Sequence, residues 1–183
     1  MKWTDEALVA AAKTGDAGSF RKLVERHAGH VFQLAYRITG NEQDAEDAVQ
    51  ESFLRAYRQI GRFDGNSSFG TWLYRITANC ALDVIRKRQP SADDSMRTVL
   101  SDSATPERAA MSGEIRDRME EALGELTPVE RAAFVLRHFE GMGTAEIGKT
   151  LGCEPGAAKQ SVFRAVRKLR KALEPLASGV ISK

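Results

Sequence analysis

The chain has 183 residues, 27 Lys and Arg against 25 Asp and Glu, and a formal net charge of +2. This length holds one ordinary domain or two small ones, and the near balance of charge excludes a uniform polycation. No apolar run reaches the length of a membrane span, and the acids at the start of MKWTDEALVAAAKTG exclude a secretory leader.

Strand signals are nearly absent, and helix start and stop signals recur along the chain. Thr4 caps a first helix that Gly15 ends, and Asp16 caps a second running to Thr39. Phe20, Leu23, Val24, Val31, Leu34, Ala35 and Ile38 give that second helix its apolar spacing, and Gly40 closes it. Asn41 caps a third helix with Ala45, Ala48, Val49, Phe53, Ala56 and Ile60 on one side. Asp47, Gln50, Glu51 and Arg58 lie away from that stripe, and residues 41–51 hold Glu42, Asp44, Glu46, Asp47 and Glu51 without a base. A loop from Arg62 to Gly70 leads to a fourth helix from about Thr71 to Arg88. Leu73, Ile76, Cys80 and Val84 form its core stripe, and Arg75, Asn79, Asp83 and Arg86 follow another face.

Residues 89–106, QPSADDSMRTVLSDSATP, show no sustained period and read as a flexible linker. Helices resume near Glu107 and reach Leu126. Thr127, Pro128 and Glu130 then supply a cap, a first-turn proline and a capping box for a helix that buries Ala133, Val135, Leu136 and Phe139. Thr144 to Leu151 forms a short helix with Ile147 and Leu151 on one face. Gly152 suits a left-handed stop, and Pro155 opens a longer helix. On that last helix Ala158, Val162, Ala165, Val166 and Leu169 share one side, and Gln160, Arg164, Arg167 and Lys171 lie opposite. The expected fold is all-α, with two small helical domains (residues 1–88 and 107–183) joined by a flexible linker (89–106). The second domain contains a helix-turn-helix.

The charge is segregated, which points to two partners of different kind. The last helix carries Lys159, Arg164, Arg167, Lys168, Arg170 and Lys171 with no acid among them, and Lys159, Gln160 and Ser161 near its start suit base edges or phosphates. That is the pattern of a helix read into the DNA major groove. In the first domain Phe63, Phe69, Trp72 and Tyr74 crowd a Gly/Ser/Asn loop next to Arg75 and Arg86. Aromatic faces replace the stacking that a base loses on leaving the duplex, and arginines hold the backbone, so this segment suits single-stranded nucleic acid. Packing of the same rings under the loop is the alternative. Cys80 and Cys153 sit in apolar patterns and read as small buried hydrophobes of a reducing compartment, so a cytoplasmic protein is expected. His27, His30 and His138 lack metal-ligand spacing, and neither a metal nor a cofactor is expected.

The ordered set Asp44-Ala-Glu-Asp-Ala-Val-Gln-Glu51, Phe69-Gly-Thr-Trp-Leu-Tyr-Arg-Ile76 with Asn79, Leu126-Thr-Pro, Phe139-Glu-Gly141, Glu146-Ile147, Leu151-Gly152 and Arg164-Ala-Val-Arg-Lys-Leu169 resembles the bacterial sigma factors of the sigma-70 family. Within that family it resembles the compact extracytoplasmic-function (ECF) group. The resemblance implies a factor that binds core RNA polymerase and directs promoter-specific initiation without enzymatic activity of its own. It implies docking of the third helix on the β′ clamp helices through Asp47, Gln50 and Glu51, with Asp44 and Arg55 nearby, and a further contact of the chain with the β flap. The loop from Phe63 to Phe69, with Asn66 and Ser67, would take a base flipped from the −10 element, and Trp72, Arg75, Asn79 and Arg86 would hold the strands. Lys159, Gln160, Ser161, Phe163 and Arg164 would face the −35 bases, and Arg167 and Lys168 would meet phosphate. An anti-sigma factor is the regulator implied.

The chain departs from the family pattern at Thr144 and Ala145, at Glu154-Pro-Gly-Ala-Ala158, and at Gln160 and Ser161. These positions bear on −35 preference rather than on the fold. The competing reading is a helix-turn-helix regulator with an N-terminal sensing or interaction domain. It accounts for the last helices but not for Trp72-Leu-Tyr-Arg-Ile76 beside an aromatic loop.

Overall fold

A computed structural model describes residues 3–88 and 113–180, with side chains described for 3–88 and 118–174. The expected linker, residues 89–106, and the first residues of the helix expected from Glu107 lie outside the described residues.

The first group of helices is α1 (Asp5–Lys13), α2 (Ala17–Thr39), α3 (Glu42–Gln59), a 3-10 turn (Ile60–Arg62) and α4 (Phe69–Arg88). Each boundary has a local cause. Thr4 Oγ1 accepts the Ala7 N–H, Asp16 Oδ1 the Gly18 N–H, and Asn41 Oδ1 the Asp44 N–H, so three helices begin on side-chain caps. Gly40 at φ +83° ends α2 in the left-handed region, where a Cβ would be strained. α4 begins two residues before the expected Thr71, because the Ser68 hydroxyl accepts the Thr71 N–H at 3.1 Å and starts the helix at Phe69.

The second group is α5 (Gly113–Gly124), α6 (Pro128–His138), α7 (Thr144–Leu151) and α8 (Pro155–Val180). Thr127 and Glu130 form the expected capping box at the start of α6, a motif worth about 1 kcal/mol to the helix. Gly152 stops α7 at φ +67°. Gly148, inside α7, is required by close approach: a Cβ there would lie 2.7 Å from the Cys153 backbone carbonyl, in the turn to α8.

Leu8, Val9, Phe20, Leu23, Phe63, Phe69 and Leu73 build one core between α1, α2, the loop and α4. Ala122, Leu126, Ala165 and Leu169 build another where α5 lies on α8. A third cluster crosses between the groups, joining Leu34, Ile38, Ala78 and Leu82 to Val135, Leu136, Met142 and Ile147. The periodicity of each half gives no sign of this shared cluster. It changes α4 most. Ile76 and Val84 are only half-buried, and Ala78, Leu82 and Ile85, which lie outside the expected stripe, are buried.

Two further expectations are corrected. Phe139 follows the end of α6 and stays 51% exposed instead of entering the core; the Arg37 guanidinium lies 4.2 Å above its ring centroid. Cys153 is half-buried in the α7–α8 turn, and Cys80 alone of the two cysteines is fully buried.

Candidate functional site

The acidic face of α3 forms one wall of a groove whose other wall is α4. Asp47, Gln50, Glu51 and Leu54 line it with Asp83 and Lys87. Asp47 and Gln50 are exposed. Arg55 donates to Glu51 at 2.7 Å and to Asp83 at 3.1 Å, bracing the two walls. The Arg55 hydrogen bond holds the Glu51 carboxyl below its ordinary range, so the face stays anionic. Asp44 lines the same groove from a more enclosed position: it is buried, takes the Asn41 amide at 2.6 Å and the Arg88 guanidinium at 2.9 Å, and sits in the first turn of α3. Leu54 and Tyr57 extend the open face with exposed apolar surface at 43% and 52%. The sequence signal for them was available, since both fall outside the apolar stripe of α3.

The loop between the 3-10 turn and α4 is tightly organised. Asp64 accepts the Asn66 backbone N–H at 3.0 Å and its side-chain amide at 2.6 Å, and Gly65 takes φ +77°. Asn66 is exposed and Ser67 half-buried. Phe63 and Phe69 are buried, with ring centroids 6.1 Å apart, and Trp72 leans on both from a half-buried position. Phe63 and Phe69 therefore form the floor of the loop, and Trp72 is the ring with a free edge. The Asn79 amide donates to the Arg75 carbonyl within α4. Arg86 is exposed and reaches Asp83 at 3.5 Å.

Arg75 is committed elsewhere. Its Nη2 lies 2.7 Å from Glu146 Oε1 on α7, while Glu146 Oε2 accepts the Gly143 N–H at 3.1 Å. Those two bonds, the backbone one first, hold the Glu146 carboxyl below its ordinary range. Nearby, His30 Nε2 meets Glu140 Oε2 at 2.8 Å, and the His30 ring stacks on Tyr74 at 4.4 Å. Arg131, 6% exposed, donates from Nε to the Arg37 carbonyl at 2.6 Å, and burial pushes its guanidinium down to about 10. The joint between the halves is thus polar as well as apolar. Sequence reasoning missed Glu146 and Arg131 as joint residues, because their partners lie 71 and 94 positions away.

On α8, Lys159, Gln160, Phe163, Arg164 and Arg167 are exposed and Ser161 is half-buried. Phe163 is the most open large apolar side chain among the described residues, at 61%. α8 is held by α7 through Ile147 and Ala158, and by α5 through Ala165 and Leu169. Lys168 leaves the open face: its ammonium meets Glu130 Oε2 at 2.7 Å and the Glu125 carbonyl at 3.3 Å. Burial works against the Glu130 charge, but the bonds from Lys168 and from the Thr127 backbone outweigh it and keep that carboxyl below its ordinary range. Lys168 braces the helix-turn-helix from behind.

The geometry is one groove with an acidic α3 wall, one aromatic-floored loop and one cationic helix on a helix-turn-helix. Family models agree with each half: Sigma-70 region 2 matches residues 23–91, and Sigma-70, region 4 matches residues 116–169. The chain is 35% identical over 183 residues to the RNA polymerase sigma-H factor of Pseudomonas aeruginosa, covering 94% of this chain and 95% of that one. It is 33% identical over 179 residues to the ECF RNA polymerase sigma factor SigW of Bacillus subtilis, covering 92% and 96%. The chain belongs to the sigma-70 family, in its ECF group. This sigma factor also resembles the solved structure of CnrH in complex with the cytosolic domain of CnrY, with a TM-score of 0.65, 28% identity, and coverage of 93% of this chain and 97% of that one.

As a sigma factor it directs RNA polymerase to promoters and initiates transcription, and the reading as a regulator with a separate sensing domain gives way. The region 2 match begins at position 23, within α2, and takes in all of α3 and α4; α1 lies before it. The region 4 match ends at position 169 on α8. Among the described residues no helix is long and apolar enough to cross a membrane, and no group of His, Cys, Asp and Glu could hold a metal ion.

Proposed function

We propose that the two halves divide promoter recognition, with residues 1–88 docking on polymerase and capturing the −10 element, and residues 107–183 reading the −35 duplex. The segregated placement of charge carries this reading: Asp47, Gln50 and Glu51 stand on the acidic α3 wall of a groove, whereas Gln160, Arg164 and Arg167 share the open side of a basic helix. The exposed acids of the α3 wall repel DNA and suit a basic protein element, so α3 is the docking face for the β′ clamp helices. Gln160, Phe163 and Arg164 are the side chains offered to base edges, with Lys159, Ser161 and Arg167 at the flanks.

In the first half, Asn66 and Ser67 form the rim of the pocket for an extruded base, and the edge of Trp72 meets the strand. Phe63 and Phe69 support the pocket from below. Each unstacked step costs a few kcal/mol, offset by base capture and by polymerase contacts, so melting proceeds without catalysis by this chain. Arg75 reaches DNA by exchanging the Glu146 carboxylate for a phosphate, a replacement of one charge-assisted bond by another. Asn79 and Arg86 continue that track along α4. The factor acts in the cytoplasm, and its protein regulator is an anti-sigma factor; the similar CnrH is itself solved in complex with the cytosolic domain of another protein, CnrY.

Run-off transcription with purified core polymerase and a library of promoters tests the proposal. Start sites preceded by a shared pair of −10 and −35 elements are expected. Initiation that tolerates any sequence in either element removes the corresponding half of the assignment.

A further inference from the structure

We propose that Lys13, in the last turn of α1, is a positioning residue that holds the base-capturing loop in its receptive shape. The inference rests on the reading of residues 63–69 given above, and concerns a helix that lies before both family-model matches. The Lys13 ammonium donates a hydrogen bond to the Phe63 carbonyl oxygen and stands 5.8 Å from the Phe63 ring centroid. Phe63 is where the chain leaves the 3-10 turn, its own N–H bonded to the Ile60 carbonyl at 3.1 Å. Residues 64–68 then run through the Asp64–Asn66 turn to the Ser68 cap of α4.

The loop is therefore pinned at both ends. The Ser68 end is held by α4 itself. The Phe63 end is held by its buried ring and by a cation brought from α1, 50 positions earlier. α1 can deliver that cation because Leu8, Val9 and Ala12 are packed in the same cluster as Phe63 and Phe69. An ammonium on a carbonyl also leaves the loop less anionic beside Asp64, where a DNA strand must approach. The helix that looks like a lead-in to region 2 is thus a support for its DNA loop.

The test uses the full chain bound to core polymerase on a promoter selected from the library. Lys13→Met keeps the aliphatic stem and removes the donor and charge; Lys13→Arg keeps both. A fluorescent base analogue at the extruded position reports capture. Lys13→Met should weaken capture of a single-stranded −10 oligonucleotide roughly tenfold, the worth of one hydrogen bond to a charged group. It should also flatten base preference at that one position, leaving core affinity and −35 duplex affinity unchanged. Lys13→Arg should restore most of the loss. Wild-type preference in Lys13→Met, or equal losses in core and −35 binding, overturns the positioning role. Silence of the wild-type protein on every promoter overturns the loop reading itself, and this inference with it.

Discussion

The two halves of this sigma factor place the side chains proposed to meet polymerase and DNA by different means. In the second half they stand along one helix, where Gln160, Arg164 and Arg167 follow each other at helical spacing and the apolar side is buried on α5 and α7. In the first half they come from α3, α4 and a loop, and several of their polar groups also bond within the fold. Asp44 accepts from the Asn41 cap and from Arg88, and Arg75 pairs with Glu146. A one-helix site exposes its logic to periodicity. A convergent site does not, because helical spacing says which face a residue shares but not which distant residue meets it.

That contrast can be broken experimentally, and the largest effect belongs to the groove. Charge reversal at Asp47 and Glu51 together should weaken core-polymerase binding about a hundredfold or more, the scale of losing a pair of complementary interfacial charges. Asp44→Asn should instead lower thermal stability and leave core affinity intact. Equal effects from both variants would erase the distinction between an outward and an inward acid.

The shared cluster predicts the next largest effect. Leu136→Ala removes a fully buried side chain, at a cost of about 2–5 kcal/mol. Because Leu136 belongs to the cluster that also holds Leu34 and Ile38, denaturant should move helix content and Trp72 emission together in a Trp3→Phe background. Loss of the second half alone, with Trp72 emission unmoved, would show that the halves keep separate stabilities.

Smaller effects separate reading from bracing on α8. Arg164→Ala should cost about 1–3 kcal/mol of −35 binding and relax one base position. A uniform loss at every sequence would assign Arg164 to phosphate. Lys168→Ala should change stability and not base preference, since its ammonium is spent on Glu130 and the Glu125 carbonyl.

The smallest effect is a pH dependence. Glu130 is held below its ordinary value of 4.5 in the folded chain. Its contribution is therefore complete above the unfolded value and is lost as pH falls through the lower folded one. Melting temperature followed from about pH 5 to about pH 3 should decline less steeply in Glu130→Gln than in the wild type. Parallel curves would deny Glu130 that role.

Most of the fold was legible in the amino-acid order, because its signals are local. Thr4, Asp16, Asn41 and Thr127 bond to backbone within four residues, and Gly40 and Gly152 end helices by their own φ angles. Charge segregation and the basic face of α8 were legible for the same reason, and so was membership of the family, through an ordered set of motifs. Tertiary structure alone decided which polar groups are free. It set Arg75 on Glu146, Lys168 on Glu130, Arg131 on the Arg37 carbonyl and Lys13 on Phe63. Those pairings join residues 38 to 94 positions apart, and such distances are bridged by packing of whole helix faces, which no local rule encodes.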